Sequence, residues 1–551
     1  MSSIDPKINI GLGKETTVKS LKIIWPDDKT QSIENIKADQ LITLNYNDAL
    51  EAKPLAETRS NTIFKETAAV KNIDYVHSEQ DFDDFNIQRL IQHKVSQSGP
   101  CLAIADLNKD GLEDVVLGSS EGEYPSIFFQ ESDGSFTSRA LFEDNDYLDN
   151  VEECIRQIDL ENDGDLDLII SSKKNFYRDQ SSYFAINDGN GSFTIKNADA
   201  LFQGSIIAVG DYNADGLDDV FIGGGAKLEA YPTTNASKLL INQGGSFIDS
   251  GKEIIKDIDK MGMVTDAKWG DLNADGFLDL VVVGEFEPIK IYLHTADGLE
   301  RYHSNLDDYI GLWSSIVLFD NDDDGDLDLI AGNIGANNYL HLSDETPITL
   351  VADDFDNNGS LDPILFTYEK GRDSIKRAYP YAFKDNLVEQ SPKFRKQFKY
   401  YKHYADTALE EFFSKEELKN AHLLTANFEL SIYIESLGNN EFNVSALPQE
   451  VQIAPLTDMV VTDYNNDGYY DVIGVGNDYR YEPFVGRLDA SNGVLLRGTG
   501  SSLFEVIPNQ ESGILIPKDG REIQPIKTAS GKENYIVTQN RDRLLIFDKN
   551  K

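Results

Sequence analysis

Asp106-Leu107-Asn108-Lys109-Asp110-Gly111-Leu112-Glu113-Asp114, followed by Val115-Val116-Leu117-Gly118, decides how this chain folds, because close copies of it recur six more times. Oxygen-bearing side chains stand at positions 1, 3, 5 and 9 of the stretch, and a glycine stands at position 6, where the backbone must turn sharply. A short loop wraps a calcium ion with this spacing. The copies begin at Asp159, Asp211, Asp271, Asp320, Asp354 and Asp463, so successive starts lie 53, 52, 60, 49, 34 and 109 residues apart. At average composition one start matches the pattern with a probability on the order of 10⁻⁵. Chance does not produce such a set.

The side-chain ligands expected are Asp106, Asn108, Asp110 and Asp114 in the first loop, and Asp159, Glu161, Asp163 and Asp167 in the second. The third uses Asp211, Asn213, Asp215 and Asp219; the fourth Asp271, Asn273, Asp275 and Asp279; the fifth Asp320, Asp322, Asp324 and Asp328. The sixth uses Asp354, Asp356, Asn358 and Asp362, and the seventh Asp463, Asn465, Asp467 and Asp471. Carboxylates gathered within a few ångströms repel by roughly 4 kcal/mol per pair at an effective dielectric of 20, and a divalent cation removes that penalty. A metal-free Asx turn is the alternative for any single loop. For the set, about seven structural Ca2+ ions are expected.

An EF-hand needs flanking helices and Glu at position 12, but that position holds Leu117, Ile170, Ile222, Val282, Ala331, Leu365 and Gly474. Short apolar runs flank the loops instead: residues 102–105, 206–209, 316–319 and 459–461 before them, residues 115–117, 168–170, 220–222 and 280–283 after them. Each loop therefore joins two strands. Residues 126–130 and the turn Ser132-Asp133-Gly134-Ser135 complete a four-stranded sheet. Sheets of this size, recurring about every 50 residues, indicate a β-propeller.

In motif and spacing, residues 100–480 resemble FG-GAP/VCBS repeats, the family that includes the integrin α-subunit propeller. Residues 19–26, 30–33 and 40–46 read as strands of a small β module, and Ile10-Gly11-Leu12-Gly13 followed by residues 18–26 and 35–44 resembles the ASPIC/UnbV module. The FG-GAP resemblance implies that each calcium loop joins the first and second strands of a blade. It also implies a further ligand in the position-7 carbonyl of Leu112, Asp165, Leu217, Phe277, Asp326, Ser360 and Tyr469. Glu161 departs from the usual Asp or Asn. Relatives of this kind are exported, so the resemblance implies an extracellular, cell-surface or periplasmic place and an upstream part of a longer bacterial polypeptide.

The fold expected is all-β: a seven- or eight-bladed β-propeller over residues 99–551 with a helical insertion at about residues 376–428, an ASPIC/UnbV-like module over residues 1–48, and a linker and lead-in over residues 49–98. Residues 523–527, 535–539 and 544–547 read as strands without a loop. Paired with a strand near residues 73–76 they form an eighth blade, the reading slightly favoured; otherwise they complete the seventh. His77 and the acids after it read as a segment packed on the first repeat rather than as a metal site.

The chain has 551 residues and a formal charge of −45, which repels phosphate backbones and anionic membranes, so nucleic acid is not an expected partner. No apolar run is long enough to span a bilayer, and the first residues lack the features of a signal peptide. Gly11-Leu12-Gly13-Lys14 lacks the spacing of a phosphate loop and reads as a turn. Cys101 and Cys154 each lie five residues before the first Asp of a loop. Neighbouring sheets pack about 10 Å apart, beyond the reach of about 7 Å for a disulfide, so free thiols are expected. Between Gly371 and His403, nine Lys and Arg face three acids, and Ser414-Lys415-Glu416-Glu417 is a capping box; the segment reads as a helical cap packing its aromatics on the propeller.

If the calcium loops share one face of the disc, the connections after the second strands share the other. Those connections carry Tyr124, Tyr177, Arg178, Tyr231, Glu285, Glu287, Asn333, Asn337, Asn338, Tyr479, Arg480, Tyr481 and Arg487. Aromatic platforms with convergent polar groups suit a carbohydrate or protein ligand. The seven histidines are dispersed, and no zinc-protease, nucleophile-elbow or Walker motif is present. The expectation is a binding or adhesion module and not an enzyme. The alternative is a carbohydrate-active enzyme, a glycoside hydrolase or lyase, for which Glu285 and Glu287 are the first acids to test.

Overall fold

The computed structural model describes residues 10–25, 29–49, 62–79, 81–119, 122–174, 179–198, 204, 206–438, 441–500 and 503–550. The chain divides into two units, Met1–Thr62 and Ile63–Lys551. In the first, Thr17–Ile24 pairs antiparallel with Thr30–Lys37, and the Trp25 and Tyr46 rings meet edge to face 5.3 Å apart. The strand expected over residues 40–46 does not form; the described chain there lies outside any sheet and ends in a 3-10 turn, Tyr46–Asp48.

In the second unit, Asp114–Leu117, Asp219–Gly223, Asp328–Gly332 and Asp471–Gly476 are buried at every residue. Strands with no exposed face need cover on both sides, and the sheets supply it to one another. Among the described residues, six sheets packed in one series begin with a strand, a calcium-type loop and a second strand. The first contains Leu102–Ala105, Asp114–Leu117, Ser126–Gln130 and Phe136–Ala140. The others start at Val151–Ile158, Ile206–Gly210, Met263–Gly270, Ser315–Phe319 and Leu456–Thr462. A seventh, without such a loop, contains Gly520–Lys527, Glu533–Gln539 and Leu545–Lys549, and is completed by Phe64–Glu66 from the start of the unit. The first strand of each sheet packs on the first strand of the next, and that of the seventh packs back on that of the first. Seven apolar clusters fill the spaces between neighbouring sheets. This all-β arrangement is consistent with a propeller.

Three expectations change. The completing strand is Phe64–Glu66, whereas Val76 makes only an isolated bridge to Arg543. The lead-in therefore belongs to the second unit; residues 50–61 of the expected linker lie outside the described residues. The sixth loop does not open a sheet of this series. It joins Ile348–Asp353 to Asp362–Lys370 in a separate four-stranded sheet, which is inserted between the second and third strands of the fifth. Its distance of 34 residues from the fifth loop is too short for a four-stranded sheet. The terminal strands, joined by Phe64–Glu66, follow the six loop-bearing sheets of the series.

The insertion thus begins well before residue 376. Phe394, Tyr404 and Phe412 on its short helices, with Phe398 and Phe413 at the ends of two of them, pack on Phe366 of the inserted sheet and Phe355 of the sixth loop rather than on the sheets of the series. The capping box forms as expected: Ser414 Oγ accepts from the Glu417 backbone N–H, and the Glu417 carboxylate accepts from that of Ser414. Both cysteines are free and buried. No helix among the described residues is long and apolar enough to cross a membrane.

Candidate functional site

Each loop is held by its own acids. In the first, the Asp110 and Gly111 backbone N–H groups donate to the two Asp106 oxygens at 3.2 and 2.9 Å, and Leu112 N–H donates to Asp110 at 2.8 Å. The position-1 contacts repeat through Asp159, Asp211, Asp271, Asp320, Asp354 and Asp463. Two residues per loop are left-handed. The position-6 glycines have φ from 80° to 96°, and position 4, occupied by Lys, Asn, Ala or Asp, has φ from 55° to 60°. A Cβ added at Gly111 would meet nothing within 4 Å, so backbone conformation and not space demands glycine there.

The position-9 aspartates do more than the ligand reading assigns. Asp114 is fully buried and accepts from Leu107 N–H at 3.1 Å and from Gln130 N–H at 3.0 Å, so it ties the loop to the third strand of its sheet. Asp167, Asp219, Asp279, Asp328 and Asp471 repeat both contacts. Burial, with the other loop acids adding, pushes Asp114 up to about 7 and Asp219 to about 6. In the fifth loop, Asp320, Asp322 and Asp324 bring carboxylate oxygens within 4.8 Å of one another. An all-oxygen donor set of this kind fits a hard divalent cation.

At the opposite ends of the same strands lies a cavity of about 270 Å³. It is lined by residues where first strands start, such as Cys101, Cys154, Asp266, Asp458 and Glu522, and where second strands end, such as Lys173, Glu285, Asp478 and Arg480. His93, Arg156, Lys173, Lys268, Arg480 and Arg521 face Glu153, Asp266, Glu285, Asp458, Asp478 and Glu522, with Trp313 and Tyr481 in the wall. The charges pair: Lys173 with Glu153 at 2.8 Å, Lys268 with Asp266 at 3.0 Å, Arg156 with Glu522 at 3.4 Å, and Arg480 with Asp478 at 2.8 Å.

His93 Nε2 lies 2.9 Å from Glu285, and its Nδ1 lies 3.0 Å from the Lys94 carbonyl. Both ring nitrogens face acceptors, which favours imidazolium. Burial opposes that charge, but Glu285 outweighs it and holds the His93 pKa above the ordinary value. Burial likewise opposes the Asp478 carboxylate, yet Arg480 and Arg521 hold its pKa well below the usual range.

Three of the acids also join sheets. Asp266 accepts from Ile316 N–H at 3.0 Å, Asp458 from Ile523 N–H at 2.8 Å, and Glu522 from Leu102 N–H at 2.8 Å. Burial pushes Asp458 up to about 7, with Glu522 and Asp266 adding and Lys268 opposing. An aspartate raised from 3.8 costs nothing below that pH, destabilises progressively as pH rises to about 7, and carries a constant penalty above it. Asp458→Asn should therefore stabilise the chain at pH 8 by on the order of 3 kcal/mol and leave it unchanged near pH 4. Melting curves of variant and parent in the same buffers check this; an equal shift at both pH values would refute it.

FG-GAP-like repeat models match residues 106–170, 159–222, 211–282 and 271–331, each running from one loop through the next, and the ASPIC and UnbV model matches residues 1–51. The chain is an FG-GAP repeat protein with an N-terminal UnbV module. No curated protein matches it significantly. Among solved structures it is similar to the V. cholerae biofilm matrix protein Bap1, with 11% identity over 84% of this chain and 89% of that one and a TM-score of 0.34. It is also similar to BBS1N in complex with ARL6DN, with 10% identity over 86% and 96% and a TM-score of 0.35. At such scores the likeness says nothing of ligand or partner.

Of the expected ligand-binding residues of this FG-GAP protein, Glu285, Arg480 and Tyr481 line the cavity. Tyr231 stands behind them, buried, and donates to Glu285 at 3.1 Å. Glu287 does not join Glu285: it pairs with Lys290 at 2.7 Å, across an irregular register at which Phe286 has φ 58°. Asn333 is fully buried in backbone contacts, and Asn337 donates to the Ile453 carbonyl at 3.0 Å. The Arg487 guanidinium lies 4.2 Å over the Tyr479 ring. Tyr177 and Arg178 lie outside the described residues. The sequence reading missed His93, Asp478 and Arg521. It also missed the charges on the first strands, although a signal was present: the position five residues before the loop holds Cys101, Cys154, Asp266 and Asp458, all in the cavity wall.

Proposed function

We propose that this FG-GAP repeat protein is a calcium-stabilised binding module of the cell surface or extracellular space. In this reading it is a seven-bladed propeller that takes a carbohydrate or protein ligand at the cavity opposite its calcium loops. The observation that carries the reading is the cavity wall, where the pairs Lys173–Glu153, Lys268–Asp266, Arg156–Glu522, Arg480–Asp478 and His93–Glu285 stand beside Trp313 and Tyr481. Charged groups already oriented by their partners can exchange hydrogen bonds with sugar hydroxyls or peptide groups with little reorganisation. Seven sheets packed first strand to first strand support the blade count. The all-oxygen loops support calcium, with the position-7 carbonyls completing each site. Binding is favoured over catalysis because Glu285 is engaged by His93 and Tyr231, and Glu287 by Lys290.

A glycan and protein array probed in calcium tests the reading, with Arg480→Gln as the variant and its melting point as the control for folding. The expected result is a ligand whose affinity falls at least about tenfold in the variant. Unchanged affinity moves the site elsewhere. Polysaccharide turnover that disappears in Glu285→Gln replaces binding with catalysis.

A further inference from the structure

A groove of about 410 Å³ opens on the inserted sheet, between the hairpin Asp362–Lys370 and Lys376–Pro380 and the helix Tyr401–Asp406. It stands apart from the central cavity. Three cations, Lys370, Arg372 and Lys384, line it, against Glu369 and Asp406. Arg372 is held by Asp406 at 2.9 Å, and the Lys384 ammonium lies 4.8 Å over the Tyr401 ring. Phe383 and Tyr401 also line the groove: the Phe383 ring meets Phe484 edge to face at 4.5 Å and the Tyr401 hydroxyl donates to Asp385, yet the two residues remain 51% and 60% exposed, so ring surface stays open to it.

The setting adds a charge argument. Residues 371–403 carry nine Lys and Arg against three acids in a chain of net charge −45. An anionic ligand is repelled by most of this surface and attracted here, over a screening distance of about 8 Å. Open aromatic faces beside cations match a pyranose ring that bears a carboxylate: C–H faces stack on the rings, and the ammonium and guanidinium groups take the acid. A folded acidic protein would need about 800 Å² of surface from each partner, more than a groove of this size offers. Duplex DNA, with one charge per about 1.7 Å, suffers most from the surrounding acids.

We propose that this groove is a second binding site, specific for uronic-acid-containing polysaccharide. Phe383 and Tyr401 form its stacking platform, and Lys370, Arg372 and Lys384 are its carboxylate ligands. The full chain in calcium buffer is titrated with hyaluronan oligosaccharides, with chitin oligosaccharides as the neutral control and with poly-glutamate and oligo-dT as other polyanions. The expected result is hyaluronan binding that weakens with salt, falls about tenfold in Tyr401→Ala and in Lys384→Glu at unchanged melting temperature, and persists in Tyr401→Phe. Arg480→Gln should leave it intact, so failure here and failure at the central cavity are separable. The proposal is overturned by no hyaluronan binding, by parental affinity in both groove variants, by chitin binding as tight, or by poly-glutamate or oligo-dT binding as tight.

Discussion

Chelating calcium should lower the unfolding midpoint of the repeat unit by about 10 °C. With the ion tenfold above its dissociation constant, each filled loop contributes about 1.4 kcal/mol, and seven loops contribute about 10 kcal/mol. An unfolding entropy of roughly 2.1 cal/mol/K per residue gives a unit of this size about 1 kcal/mol/K, which converts the sum to about 10 °C. The physical source is the gathering of acids seen most clearly at Asp320, Asp322 and Asp324, whose carboxylate oxygens lie within 4.8 Å of one another. Asp110→Ala, which removes one ligand from one loop, should give up only roughly 1–2 °C of the calcium effect. Calorimetry with calcium and with chelator makes the comparison. Identical midpoints would show that the loops are plain Asx turns.

Phe64→Ala should cost about 3–5 kcal/mol, the range for emptying a buried aromatic site, and lower the midpoint by about 3–5 °C. Phe64 is fully buried, with its ring 5.7 Å from that of Tyr464 in the loop of the sixth sheet and 5.6 Å from that of Tyr535 in the seventh sheet. It sits on the short strand that brings the start of the unit back to its end, pairing with Lys549. Losing its packing loosens the edge that this strand covers, and an uncovered edge invites pairing between chains. Aggregation on heating should therefore begin earlier in the variant. Val70→Ala, at a site 78% exposed, serves as the control and should change the midpoint by less than about 0.5 °C. A Phe64→Ala midpoint equal to that of the control would mean that the strand does not help hold the unit together.

The loops were legible because their chemistry is local. Oxygen atoms at fixed offsets, a glycine that must take positive φ, and short apolar runs on both sides lie within about a dozen consecutive residues. The same local reading placed the capping box at Ser414 and Glu417. It erred where two segments had to be matched across the chain. Phe64–Glu66 is three residues long and has no motif; only its partner, some 480 positions away at Lys549, makes it a strand. The sixth loop has the same pattern as the others, and its place in an inserted sheet shows only in its short spacing from the fifth.

The candidate ligand site divides in the same way. Glu285, Arg480 and Tyr481 could be named from their place after second strands. Glu287, two residues from Glu285, could not be sorted from it without the irregular register and the positive φ of Phe286 that send it to Lys290. His93 comes from a segment with no repeat signature and reaches Glu285 only because the lead-in folds over the ends of the sheets.

By itself the sequence determined the repeat, its family, its all-β class and the seven acidic loops, since these follow from composition and short-range periodicity. The tertiary structure alone decided which loop stands outside the series, which strand completes the last sheet, and which charges meet in the cavity. Those outcomes depend on contacts between residues tens to hundreds of positions apart, where burial and pairing select one partner among many that the local pattern leaves equivalent.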